Sequence, residues 1–242
     1  MTQVVITQPM LFPWVGLFEQ LKLADVCVFY DNTAFSKGSF TNRVQIPVAD
    51  HAHKWLTLPL TKFSLGTEIR DLVLRPETEW KPRHLAFLAQ VYDKAPFKTD
   101  MLELVQEVYA GPQHHAMHTI VKSMQAVCRY YDIAPLFKYA SELGIDTSEG
   151  KSEKVLEMVK ACEGNTYITG HGALKYLDHS LFESAGIRVH YMDYARRAYP
   201  QVSTSVFNPY VSTLDLIANL GPEGKEIFCP KTLDWKEIDH AS

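Results

Sequence analysis

Four residues suited to handling anions and protons, Asp31, Lys37, Asn42 and Arg43, follow a short apolar run at residues 26–30. Arginine offers a planar fork and lysine a point charge, so Lys37 and Arg43 could together hold a diphosphate. Asp31 could accept a proton or orient an amine. The plain alternative is a solvated loop with an Asp–Lys surface pair worth about 0–1 kcal/mol. A second group, Gln8, Phe12 and Trp14, lies in a segment stiffened by Pro9 and Pro13. Its two rings offer flat apolar surfaces to a base or a sugar, or else plug the core. A third group is the run Thr169-Gly170-His171-Gly172-Ala173. Gly170 and Gly172 permit close backbone approach, and a helix start there would present free N–H groups to an anion. His171 could act as a general base in the same turn, or the glycines could simply be turn residues.

Other candidates are weaker in pattern. His84 falls in the first turns of a helical stretch and either faces a site or sits at the surface. His114, His115 and His118 lack the glutamate of a zinc-binding H-E-x-x-H, so no metal site is expected. Cys27, Cys128, Cys162 and Cys229 are widely spaced with no C-x-x-C pair, which points to reduced, mostly buried thiols. No Gly-x-Ser-x-Gly elbow occurs, so a covalent enzyme intermediate has no support. The candidate catalytic residues are therefore Asp31, Lys37, His84 and His171. The candidate substrate contacts are Gln8, Phe12, Trp14, Asn42, Arg43, Gly170 and Gly172.

These residues need a scaffold that brings strand ends together. Residues 4–7 form a β-branched apolar run, consistent with a buried strand. Leu17, Phe18, Leu21 and Ala24 recur at helical spacing, and residues 26–30 form a second apolar run. Strand, helix, strand is a βαβ unit, so residues 4–7 and 26–30 are expected to be adjacent parallel strands. Residues 40–46 and 54–60 read as an inserted antiparallel pair. Helices are expected at 79–92, 100–109 and 114–131. The second half alternates again: a strand at 136–139, a helix at 151–162, a strand at 166–169 and a helix from about Ala173. A strand at 188–191 and a helix at 212–220 follow, the latter stopped by Gly221-Pro222. The segment 199–210 is aromatic and polar, and reads equally as a lid or as a packed arm. The expected fold is a single Rossmann-like α/β domain over residues 1–242, with a mainly parallel central sheet flanked by helices.

Composition narrows the function classes. Hydrophobic residues make up 46% and charged residues 21%, close to the globular average, which argues against disorder. The net charge is −4 with no basic cluster, so a nucleic-acid partner is not expected. The start of the chain has no Lys or Arg before its apolar stretch and is broken by two prolines. It fits neither a signal peptide nor a membrane helix, and a cytoplasmic location is expected.

Several of these motifs together resemble the WbqC-like family. They are Gln8-Pro9, then Pro13-Trp14-Val15-Gly16-Leu17-Phe18, then Ala24-Asp25 through Asp31, then Phe35-Ser36-Lys37 and Asn42-Arg43. Downstream, Tyr167-Ile168-Thr169-Gly170, Tyr176-Leu177-Asp178, Phe182, Phe207-Asn208-Pro209, Ser212 and Asp215 fit the same family. The likeness runs from about residue 3 to 222 and implies a role in the synthesis of bacterial surface polysaccharide, the O-antigen of lipopolysaccharide. A weaker likeness is to the nucleotidylyltransferase-type fold. There a His-x-Gly-His follows the first strand; here the place reads Trp14-Val15-Gly16-Leu17, with both histidines absent, which counts against nucleotidyl transfer.

The leading expectation is an enzyme that transfers an acyl or aminoacyl group to the amine of a nucleotide-linked amino sugar. Such a reaction needs positioning, a base and oxyanion donors rather than an enzyme nucleophile. The acyl donor could be a thioester on an acyl carrier protein or on coenzyme A, or an acyl-adenylate. Nucleotidyl or glycosyl transfer, a non-catalytic binding role in the assembly pathway, and a homo-oligomer stay open at this point.

Overall fold

The structure is a computed structural model that describes residues 1–145 and 150–238. Strand β1 (Gln3–Thr7), helix α1 (Val15–Leu23) and strand β2 (Val26–Phe29) open the chain. A hairpin of β3 (Arg43–Ala49) and β4 (Ala52–Thr57) follows, then α2 (Glu77–Val91), α3 (Lys98–Tyr109) and α4 (Ala116–Tyr130). Next come β5 (Leu136–Tyr139), α5 (Lys151–Ala161), β6 (Thr166–Thr169), α6 (His179–Ser184) and β7 (Arg188–Met192). Helix α7 (Thr213–Leu220) and the short strand β8 (Thr232–Asp234) close it.

One six-stranded sheet has the order β5-β2-β1-β6-β7-β8, and β3–β4 forms a separate two-stranded sheet. The first five strands of that order are parallel; β8 alone runs antiparallel, against β7. The expected adjacency of the first two strands is present, with Val4 opposite Val26 and Thr7 opposite Phe29.

Strands covered on both faces must be apolar at successive positions, and these are. Val5, Cys27, Phe29 and Ile168 join a large core with α1, α2, α3, α4 and α7 on one face. Val4, Val26, Val28 and Tyr167 join a smaller core with α5 and α6 on the other. The alternation follows the two-residue period of a strand. Phe29 stacks on Phe137 across β2 and β5 with centroids 5.2 Å apart. Cys27, Cys128 and Cys162 are buried and all four cysteines are free thiols. Burial pushes the Cys128 thiol up to about 12.

The structure corrects several expected boundaries. The hairpin lies at Arg43–Thr57 rather than 40–60, and turns tightly at Asp50-His51, with His51 at φ 57°. The stretch after Gly172 is a five-residue 3-10 turn, His171–Lys175, followed by α6. Helix α4 starts at Ala116, so His114 and His115 precede it and the helical spacing assumed for His114 and His118 does not exist. Strand β8 escapes sequence reading because three residues, Thr-Leu-Asp, carry no periodicity.

The segment 193–212 has no regular structure and crosses the large-core side as an arm. It is tied at three places. Asp50, at the hairpin tip, accepts from the Ser205 amide at 2.5 Å, the Ser205 hydroxyl at 2.6 Å and the Thr204 hydroxyl at 2.8 Å. These bonds hold its carboxyl down at about 2. Asp215, fully buried at the start of α7, accepts from the Tyr199 hydroxyl at 2.9 Å and the Gln201 amide at 2.8 Å. The Ser212 hydroxyl donates to the Phe12 carbonyl at 2.8 Å, joining the arm to the loop after β1.

Candidate functional site

In an open parallel sheet, ligands bind beyond the carboxyl ends of the strands where the strand order reverses. Here the chain builds outward from β1 to β2 and β5, then returns to β6 and β7 on the other side of β1. The reversal falls between β1 and β6, whose following loops diverge. A cleft of about 580 Å³ opens at that place, within the usual size of a small-molecule site.

Each wall comes from a different element. Gln8 and Trp14 stand on the loop after β1, and Tyr30 and Thr33 on the segment after β2. Thr169, Gly170 and Gly172 follow β6, and Tyr176 ends its 3-10 turn. Lys151, the first residue of α5, and Tyr194, on the arm, complete the rim. A Cβ at Gly172 would meet nothing within 4 Å, so its backbone faces open space. Trp14 is clamped between Tyr194 and Tyr210 of the arm, with ring centroids 4.9 and 5.8 Å away. A Cβ at Gly16 would lie 2.2 Å from the Trp14 ring, so glycine is required there for the indole to fold back over α1.

The cleft is lined by both polar and aromatic side chains. Lys151 places its ammonium 5.9 Å from the Tyr176 ring centroid. Desolvation raises the phenols of Tyr30 and Tyr176, and burial, then the charge of Glu19, pushes Tyr194 up to about 12. These hydroxyls stay protonated at neutral pH and serve as hydrogen-bonding groups rather than phenolate bases. His171 is exposed at the rim, with its ring centroid 6.2 Å from that of Tyr194.

Of the residues expected from sequence, Gln8, Trp14, Gly170 and Gly172 line the cleft and His171 stands at its edge. The others do not converge with them. Phe12 is fully buried at φ 38°, gives its amide to the Ser123 hydroxyl at 2.9 Å and packs edge-on against Tyr109. It is a core plug and offers no open face to a ring. Asp31 is buried, accepting from the Ser141 amide at 3.0 Å and the Ser141 hydroxyl at 2.6 Å. Its carboxylate pins the end of β2 to the end of β5. Asn42 is buried and donates to the Leu58 carbonyl at 2.9 Å. Arg43 lies 4.0 Å over the Trp55 ring and donates to the Gly38 carbonyl. Lys37 is exposed and lies outside the residues lining the cleft.

His84 is also elsewhere. Its Nε2 faces the Thr57 carbonyl at 3.1 Å and its Nδ1 faces the Tyr109 hydroxyl at 3.0 Å. A carbonyl only accepts, so Nε2 carries the proton and Nδ1 accepts from the tyrosine. Burial lowers this imidazole to about 4. It is a neutral strut between the hairpin and the helices.

Sequence reading missed Lys151, Tyr30, Tyr176 and Tyr194. Lys151 did leave a signal: a lysine in the first turn of a helix opposes the helix dipole and so suits a site that receives negative charge. Tyr194 left none, because the arm has no periodic pattern. A second groove of about 540 Å³ lies between the hairpin and α2, lined by Lys54, Phe87 and Lys94 among others. Its lining contains no residue of the parallel strands or of the glycine turn. Among the described residues, no three His, Cys, Asp or Glu side chains are grouped to hold a metal ion, and no helix is long and apolar enough to cross a membrane.

Comparison with known proteins adds a family. The sequence profile of the WbqC-like protein family matches residues 8–227. The chain is similar to an uncharacterized protein, Rv1507c, of Mycobacterium tuberculosis, with 27% identity over 229 residues. That alignment covers 93% of this chain and 97% of the relative. No solved structure matches significantly.

Proposed function

On the premise that the chain belongs to the WbqC-like protein family, we propose that it is a transferase of surface-polysaccharide synthesis acting on a nucleotide-linked amino sugar in the cytoplasm. The observation that carries this reading is the cleft at the strand reversal, with aromatic walls and a lysine at a helix start. Trp14, Tyr176 and Tyr194 offer ring faces to a base or a sugar, while Gln8, Thr33 and Thr169 offer hydrogen bonds to hydroxyls. Lys151 takes the place expected for Lys37 as the cleft's cation.

The proposed reaction joins an acyl or aminoacyl group to the sugar amine. The amine nitrogen attacks the carbonyl carbon of a thioester on a carrier protein or on coenzyme A, or of an acyl-adenylate. The carbonyl oxygen gains charge beside the open backbone of Gly172. His171 takes the proton that the nitrogen loses. With a thioester the carbon–sulfur bond then breaks and the proton passes from His171 to the departing thiolate; with an acyl-adenylate the carbon–oxygen bond breaks, adenosine monophosphate leaves as the anion and the proton passes from His171 to water. No enzyme nucleophile is consumed.

A thermal-shift panel of nucleotides, nucleotide sugars, coenzyme A and amino acids tests the binding. A ligand at 100 times its Kd should add about 2.7 kcal/mol. Silence toward every nucleotide and nucleotide sugar overturns the reading. For a ligand that does bind, His171→Gln should lower amide formation by about 10²–10⁴-fold with an unchanged melting temperature. Turnover at the wild-type rate would remove His171 from the chemistry.

A further inference from the structure

Behind Trp14 lies a small pocket to which two consecutive arginines and one acid contribute. Trp14 separates the cleft from a small pocket that it forms with Glu19, Arg196, Arg197 and Phe207. In an extended chain, successive side chains point to opposite sides. Arg196 and Arg197 are consecutive, yet both line this one pocket, and Arg196 takes a left-handed φ of 47°. Such backbone is unfavourable for a residue with a side chain, and it clusters at ligand sites.

The arginines are underused. Arg196 lies over the Tyr210 ring at 5.4 Å, and Arg197 donates to the Glu226 carbonyl at 3.1 Å. Each guanidinium has five N–H donors. Among the described residues, neither forms an ion pair. The acid in the pocket, Glu19, is buried and already accepts from the Cys229 amide at 2.9 Å. Burial raises its pKa, and the Cys229 bond and the Arg197 charge offset this only in part. The pocket holds about 10 Å³, room for about one oxygen atom and not for a ring.

We propose that Arg196 and Arg197 form an anion subsite for the diphosphate of a ligand whose sugar or base lies in the cleft beyond Trp14. The proposal rests on the functional reading above for its ligand, but the subsite itself is defined by the arginines. One phosphate oxygen enters the pocket, and the remaining oxygens meet the exposed guanidinium edges at its mouth. Bidentate arginine–phosphate pairs suit this arrangement. The left-handed turn at Arg196 is what aims both side chains at it.

Calorimetric titration with inorganic diphosphate tests the subsite without assuming a base or a sugar. The wild-type chain should bind, and Arg196→Gln and Arg197→Gln should each weaken binding by about tenfold or more. Arg196→Gly should lose binding equally while melting no lower, since glycine accepts the left-handed backbone. Lys37→Ala should bind as wild type. Failure of the wild type to bind, or indifference to both glutamine variants, overturns the subsite. A parallel titration with uridine diphosphate glucosamine, which carries the free amine, separates the two readings. If it binds no tighter than diphosphate, the subsite stands and the sugar reading falls. If it binds wild type and both glutamine variants equally, the sugar reading stands and the subsite falls.

Discussion

Two loops leave neighbouring parallel strands at the same end of the sheet, and they have opposite fates. The loop after β1 keeps Gln8 and Trp14 facing the cleft. The segment after β2 gives the cleft Tyr30 and Thr33, but its charged and amide side chains turn elsewhere: Asp31 is tied to Ser141, Asn42 to the Leu58 carbonyl and Arg43 to Trp55 and Gly38. Both carry residue types that could bind a substrate. What separates them is whether structural partners already occupy those side chains. The loop after β1 is held by main-chain groups, with Ser212 on the Phe12 carbonyl and Thr213 on the Pro13 carbonyl. That leaves the Gln8 side chain exposed and the Trp14 ring at the cleft wall. The segment after β2 is held by its side chains, so few remain for a ligand.

The strongest way to break this contrast is Asp31→Ala. Removing the carboxylate strands the Ser141 amide and hydroxyl and leaves a small void, which should cost about 2–4 kcal/mol in a urea melt. A variant that melts normally but loses turnover would return Asp31 to the site. A second experiment probes the arm that buttresses Trp14. Asp215 has a carboxyl raised from 3.8 to about 6, chiefly by burial, with the Gln201, Tyr199, Tyr92 and Asn219 bonds opposing. Its Oδ1 and the Tyr92 hydroxyl, both buried, lack a well-formed hydrogen bond. The folded state thus holds a proton that the unfolded chain releases between about pH 4 and 6, so this group's contribution to stability grows as pH falls through that window. Relative to Asp215→Asn, wild type should gain up to about 3 kcal/mol on going from pH 7 to pH 4. A difference that stays flat with pH would show that the carboxyl titrates normally. Least affected should be Lys37→Ala, with stability within about 0.5 kcal/mol of wild type and unchanged ligand binding. A marked loss of binding there would bring Lys37 back to the cleft.

The parallel sheet was legible because β-branched runs such as 4–7 and 26–29 alternate between two buried faces. Gln8, Trp14, Gly170 and Gly172, picked out at the ends of those strands, line one cleft. Strand adjacency says which end of the sheet a loop leaves, however, and not where the chain lies ten residues later. Lys37 and Arg43 were placed by the first fact and missed by the second. Phe12 was ambiguous for a different reason: a ring in a loop reads the same whether it faces solvent or, as here, occupies a left-handed turn in the core. The arm's contribution, Tyr194 with Arg196 and Arg197, depends on tethers at Asp50 and Asp215 that pair residues far apart in sequence.

The position of β1 in the sheet shapes how the chain must be made. Of the described strands in this sheet it is made first, yet it sits between β2 and β6. Its edge toward β2 is satisfied early, whereas its other edge waits for Thr166–Thr169. At ordinary translation speeds of about 5–20 residues per second, that wait is roughly 10–30 seconds. The outer edge of β2 likewise waits for Leu136–Tyr139. A nascent chain therefore carries two open, apolar strand edges while the hairpin and three long helices are still emerging, a configuration that invites pairing with other chains. The strand from which both halves of the sheet are built outward is the one left longest without its second neighbour on the ribosome.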